Sequence, residues 1–332
     1  MKYNYIIINR TGCFYDYAYG EEISGLDYAY YDSSFPKNKF LKLLNRIHTS
    51  NKLNDIVDLP CKSIWSVIQS QFYKKKLKYM ENDNLPVCFI LFSDCLPLEK
   101  YGFSKILKNE FPDSKIVYYF QDLICLDKNK KEFVQNIPKN IDAVYSFDMK
   151  DAEKYNLYFH NISYSLPKYD KKRVPMYDVF FLGAAKNRLP EIIAAYEVLR
   201  KQNIKCLFFI IGVDKSARKY EDEINYCDFV SYDDYLEYLQ DSKCVLEIMQ
   251  KNGTGNTIRT NEVIAYDKLL LSNNQCLLSN SLYDSEYMKV FDDLSLIDVK
   301  DFLKKYPAKY QNKERMLPSQ FFKDIEADLE GK

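Results

Sequence analysis

Short runs of consecutive apolar residues, alternating with amphipathic stretches, recur along the whole of this 332-residue chain. In the first half the runs are YNYIIIN, VCFILFSD, KIVYYFQD and DAVYSFD, and PKNKFLKLLNRIH and YGFSKILKNEF are among the amphipathic stretches between them. Val87 to Phe92 and Ile116 to Phe120 are apolar at successive positions rather than alternate ones. Strands of that kind are covered on both faces, which selects a central parallel sheet with helices on either side. The runs end in polar residues, Asn9-Arg10, Ser93-Asp94 and Gln121-Asp122, at the carboxyl edge where open α/β sheets place ligands.

A segment without periodicity, ISYSLPKYDKKRVP, carries two prolines and a basic cluster and reads as a linker. The rhythm then restarts with YDVFFLG, LPEIIAAYEVLRKQ, CLFFIIG, YCDFVS, DDYLEYLQ and CVLEIM, and continues through TNEVIAY and LLLSNN. The length also exceeds what one core usually organises, so two α/β domains are expected. We place the first at residues 1–165 and the second at 166–312. A terminal amphipathic helix in 313–332 is expected to pack back across the junction.

Composition removes several function classes. Lys plus Arg equals Asp plus Glu at 47 each, so no net field draws the chain to nucleic acid, and no nucleic-acid partner is expected. Thirty tyrosines read as compositional bias rather than as a binding surface. The nine cysteines have no CxxC spacing and only His48 and His160 to join them, which argues against zinc and for a reducing, cytoplasmic setting. No apolar run approaches the roughly 18 residues of a membrane helix. Peripheral contact with the inner membrane face through Phe72-Tyr73-Lys74-Lys75-Lys76 is the remaining membrane option, against the plainer reading of a solvated helix face.

The most informative stretch is CVLEIMQKNGTGNTIRTNEVIAYDKLLLSNN. A strand ending near Met249 leads into Gly253-Thr254-Gly255-Asn256-Thr257, and a helix starts near Thr257. Helix-terminal N–H groups and the macrodipole favour a phosphate there. Gly253 and Gly255 let the backbone approach an anion, Arg259 lies one turn in, and Glu262 shares its helical face. A carboxylate at Glu262 suits the two hydroxyls of a ribose. The plainer alternative is a turn followed by an i,i+3 surface pair. In DVFFLGAAKNRLPEII, Gly183 ends a strand and Lys186 and Arg188 precede a helix, so two cations could meet the same diphosphate. The plainer alternative there is a solvated strand-to-helix turn. Neither the GxxxxGK[ST] phosphate loop nor a GxGxxG site is present.

These two segments resemble the donor-binding half of GT-B glycosyltransferases, particularly enzymes assembling bacterial capsular and lipopolysaccharide sugars. The resemblance implies two facing Rossmann-like, doubly wound domains. It further implies donor contacts from Gly183, Lys186, Arg188, Gly253, Gly255, Asn256, Thr257, Arg259 and Glu262. The co-substrate would be a UDP- or dTDP-sugar, with no resident cofactor, and the acceptor a glycan or lipid-linked glycan. Position 254 is Thr where the family often carries a second acid, which departs from a double-Glu retaining pattern. No compelling DxD motif is present, so the resemblance implies metal-independent transfer. For an inverting reaction the base would come from the first domain across the cleft. Asp16, Asp94 and Asp122 follow strand ends, with helix capping or a turn contact as the plainer role of each. His160 and the Arg10-Thr11-Gly12 turn are secondary candidates. Two other classes stay open, a catalytically silent nucleotide-sugar-binding module and an epimerase.

Overall fold

The structure, a computed structural model, describes residues 1–9, 15–20, 28–32, 38–48, 50, 53, 56–57, 59–61, 63–77, 85–167, 173–250 and 255–331. The chain forms two compact units, Met1–Asn161 together with Ser319–Lys332, and Ile162–Pro318. Each holds a six-stranded, wholly parallel sheet. This is the doubly wound α/β class that the continuous apolar runs require.

In the first unit the strands are β1 (Asn4–Asn9), β2 (Tyr28–Asp32), β3 (Val87–Phe92), β4 (Lys115–Phe120), β5 (Ala143–Ser146) and β6 (Tyr158–Phe159), in the order β2-β1-β3-β4-β5-β6. Ile6 sits opposite Phe89, and Phe89 opposite Ile116. Alternate residues of these strands serve opposite faces of the sheet. Ile6, Ile8, Phe89, Leu91, Ile116, Tyr118 and Phe120 build one core with Trp65, Phe103 and Leu107. The other face is closed by the C-terminal helix Pro318–Glu330. There Tyr5 stacks on Phe322 with centroids 4.1 Å apart, and Phe321 packs against Tyr119 and Tyr145 at 4.8 and 5.2 Å. Phe321, Phe322 and Ile325 are fully buried, contributing about 1.5–3 kcal/mol apiece. Polar contacts fix the helix as well. Tyr145 donates to Asp328 at 2.6 Å and His160 Nδ1 meets Asp324 at 2.9 Å.

In the second unit the strands are β7 (Tyr177–Ala184), β8 (Cys206–Ile211), β9 (Asn225–Cys227), β10 (Ser242–Glu247), β11 (Leu269–Ser272) and β12 (Met288–Val290), in the order β12-β11-β10-β7-β8-β9. Counted from the first strand of the unit, this is the dinucleotide-fold order. It reverses direction between β7 and β10, and ligands in such sheets bind outside the carboxyl ends at that reversal.

The start of the expected linker is packed, not loose. Ile162 and Tyr164 are 6% and 1% exposed, and the Tyr164 amide donates to the Met316 carbonyl at 2.6 Å. Residues 162 to 165 are buried without a break, and the serines interleaved with the two apolar residues, with the prolines and basic cluster beyond, hid this in the sequence. Residues 168–172 of that segment lie outside the described ones.

Candidate functional site

At the reversal of the second sheet two guanidinium groups gather around the end of β7. Arg188 stands at the N-terminal boundary of the helix Leu189–Lys201, whose Pro190 needs no N–H in the first turn. Its Nε donates to the Ala184 carbonyl at 3.2 Å, and its Nη1 reaches the Ile248 carbonyl just past β10. A Cβ at Gly183 would come within 3.1 Å of both Arg188 Nη2 and Phe181 Cζ, so glycine is what lets the guanidinium lie over the strand end. Arg259 Nη2 donates to the Leu182 carbonyl, and its Nε is buried without a hydrogen-bond partner. Among the described residues the arginine ion pairs are those of Arg173 and Arg200, not of these two. Burial, and then the like charge of Arg259, push Arg188 down to about 10. Lys186 stands exposed in the turn between β7 and the helix Leu189–Lys201, with a positive φ of 45°.

The helix Ile258–Ala265 starts beside this pair, with Thr257 as its N-cap accepting from the Arg259 amide at 3.2 Å. The expected helix start is therefore where the sequence puts it. Gly255 and Asn256 are buried, and Asn274 Nδ2 holds the Gly255 carbonyl at 3.2 Å. Asn256 Oδ1 is buried with no hydrogen-bond partner, while its Nδ2 donates to Asn261 at 3.4 Å. Gly253 and Thr254 lie outside the described residues. Sequence reasoning missed Glu247, the last residue of β10. It is 2% exposed and accepts hydroxyl protons from Thr257 and Ser272, joining the N-cap to the ends of two strands. A single acid inside the apolar run CVLEIM was the available signal.

Glu262 occupies a different environment from the one the sequence suggests. It is 1% exposed, and its two oxygens accept from the hydroxyls of Tyr232, at 2.6 Å, and Tyr235. Tyr232 in turn shares a hydroxyl contact of 2.9 Å with Tyr164. Burial raises the Glu262 carboxyl above the usual range, against the pull of the two phenols and Arg259. In this arrangement both carboxylate oxygens are engaged by phenol hydroxyls. The charge of Glu247 acts on Arg188 in the opposite sense to burial, and that of Arg259 lowers Glu262, with no ion pair formed by either arginine among the described residues.

In the first unit Asp94 and Asp122 line one cleft of about 330 Å³, together with Asp127, Lys100 and Lys130. Asp94 lies in the turn Ser93–Cys95 directly after β3, which neighbours β1 across the reversal of that sheet. Asp122 follows β4 and pairs with Lys130 at 3.4 Å, its side chain 73% exposed. Asp127 caps the helix Lys128–Gln135 by accepting from the Asn129 and Lys130 amides. His160 is buried and stacks on Phe321 at 4.3 Å, so its ring helps to seat the C-terminal helix. Asp16 falls in the short helix Tyr15–Ala18, but its side chain, like the Arg10-Thr11-Gly12 turn and the side chains of Phe72 to Lys76, lies outside the described ones. Among the described residues no helix is long and apolar enough to cross a membrane.

No protein-family model matches the sequence, and no curated protein matches it. Solved structures do match in fold. An alpha-glucosyltransferase in complex with UDP-glucose and DNA containing an abasic site superposes with a TM-score of 0.55 at 12% identity, over 98% of each chain. An alpha-glucosyltransferase with UDP and a 13-mer DNA containing a central A:G mismatch gives 0.54 at 13%, over 98% of this chain and 99% of that one. AviGT4, a glycosyltransferase involved in avilamycin A biosynthesis, gives 0.50 at 9%, over 99% and 98%. The two-sheet fold is thus that of GT-B glycosyltransferase structures.

Proposed function

We propose that the protein transfers a sugar from a nucleotide donor, a UDP- or dTDP-sugar, to a hydroxyl of a glycan or lipid-linked glycan of the capsular or lipopolysaccharide kind. The observation that carries this reading is the pair Arg188 and Arg259. Two guanidinium groups sit at the reversal of the second sheet, hydrogen-bonded to main-chain carbonyls, beside a helix N-terminus. A departing nucleoside diphosphate develops charge, and fixed donors aimed at that charge lower the barrier. Lys186 adds an exposed cation at the turn after β7, and the buried oxygen of Asn256 offers an acceptor to a donor-sugar hydroxyl. With cations supplied by the protein, the reaction needs no metal. The fold match to structures carrying UDP-glucose and UDP supports the choice of donor.

For the acceptor proton the proposal retains Asp94 and Asp122, whose carboxylates share one cleft. Either carboxylate can take a hydroxyl hydrogen as the acceptor oxygen bonds to the anomeric carbon and the nucleoside diphosphate departs. The test is incubation with radiolabelled nucleotide sugars, with and without glycan acceptors. Acceptor-dependent release of the nucleotide is expected. Tight donor binding with no turnover would make the protein a silent binding module, and interconversion of the donor would make it an epimerase, each overturning the proposal. Turnover should survive chelation. Loss on chelation and recovery with a divalent cation would remove the metal-independent part.

A further inference from the structure

The helix Lys39–His48, KFLKLLNRIH, follows β2 and has no buried residue and no acidic side chain. Three rows run along it at 100° per residue. Leu41 and Leu44 pack against the core of the first unit, and His48 Nδ1 accepts from Trp65 Nε1 at 3.0 Å. Phe40, Leu43 and Ile47 form a second apolar row, within about 60° of arc, that faces water. They are 67%, 55% and 37% exposed. Lys39, Lys42 and Arg46 make the third row, directly beside the exposed apolar one and away from the core. Further along the chain Ile56 and Val57 are 79% and 57% exposed as well.

A helix on a water-soluble surface needs one apolar row, the one that meets the core. A second row of large apolar side chains in water is unfavourable, and a contiguous one marks an interaction surface. The rim decides between occupants. Two copies meeting through this face about a two-fold axis would bring the same cationic rows together without an acid on either helix. An anionic bilayer meets both rows at once, taking the apolar side chains at the headgroup boundary and the cations at the phosphates.

We infer that the helix Lys39–His48 docks the protein on anionic membrane surfaces, with Phe40, Leu43 and Ile47 entering the interface and Lys39, Lys42 and Arg46 on the lipid phosphates. The contact is peripheral and is independent of sugar transfer. The experiment is co-sedimentation of the full chain with phosphatidylglycerol-containing vesicles and with phosphatidylcholine vesicles. Two variants accompany it, Phe40→Ser/Leu43→Ser/Ile47→Ser and Lys39→Gln/Lys42→Gln/Arg46→Gln. Binding to anionic vesicles is expected to weaken about tenfold or more in each variant and to fall with salt. Thermal melting and nucleotide binding should stay unchanged, because the substituted side chains face outward. The inference is overturned by absence of binding to anionic vesicles or by equal binding to neutral ones. It is equally overturned by wild-type binding in both variants, or by a concentration-dependent dimer that the serine variant dissolves.

Discussion

Replacing Arg188 or Arg259 by methionine removes a charge while keeping much of the side-chain volume, and the structure sets the size of the effect. Both guanidinium groups already spend N–H donors on carbonyls of β7 and of residue 248, so each has only part of its five donors left for a ligand. A single charge-assisted hydrogen bond to a phosphate oxygen is worth about 1.5–3 kcal/mol, or roughly ten- to a hundredfold in Kd. Calorimetry should therefore show UDP binding weakened by that factor in each single variant. Uridine, which has no phosphate, should bind all three proteins alike. The double variant should lose less than the sum, because each arginine is relieved of its like-charged neighbour when the other is removed. Affinity for UDP within twofold of wild type in both single variants would refute the reasoning. So would an equal loss for uridine, since that would mean a distorted fold rather than a missing phosphate contact.

Gly183→Ala places a Cβ against Arg188 and Phe181 at 3.1 Å and should weaken UDP binding roughly five- to tenfold, with circular dichroism unchanged; unchanged affinity would show that Arg188 is not held by that contact. Glu262→Ala leaves two phenol hydroxyls without their acceptor and should lower unfolding stability by about 2–6 kcal/mol, measured by denaturant titration, with Glu262→Gln costing less. Burial raises the Glu262 carboxyl, so the folded chain keeps this proton longer than the unfolded one. Its contribution is complete below the ordinary glutamate range and declines as pH rises to the folded value. A wild-type stability curve that parallels that of Glu262→Gln across this window would contradict the assignment. For Asp324, burial acts upward but the hydrogen bond and charge of His160 prevail and hold the carboxyl below its usual value. Its stabilisation is present above the unfolded value and is lost as pH falls through the folded one, so Asp324→Asn should flatten the acid side of the stability curve.

The long apolar strands were legible because burial on both faces writes itself as consecutive apolar residues, as in β1, β3 and β4. The short edge strands β2, β6 and β12 were not. They have two to five residues, too few for a period to register. Sheet order is set by contacts distant in sequence, so the reversal between β7 and β10 could be inferred from the βαβ rhythm but not located. The start of the helix at Thr257 was readable from its cap, whereas the partners of Glu262 were not. Tyr232 and Tyr235 lie on the neighbouring helix Tyr232–Gln240, and tyrosine content had been set aside as bias. Buried Tyr5 and Tyr145 instead carry hydroxyls that tie the C-terminal helix to the first sheet, that of Tyr119 ties the sheet to the chain at His160, and that of Tyr235 joins two helices. A composition count cannot distinguish a tyrosine on the surface from one whose hydroxyl closes a core.

The measurement that bears most directly on the account is a crystal structure of the protein soaked with UDP. The account predicts the diphosphate at the reversal of the second sheet, within hydrogen-bond reach of Arg188, Arg259 and the backbone at Gly255 to Thr257. Nucleotide bound elsewhere on the chain, or a diphosphate at this edge touching neither arginine, would contradict it.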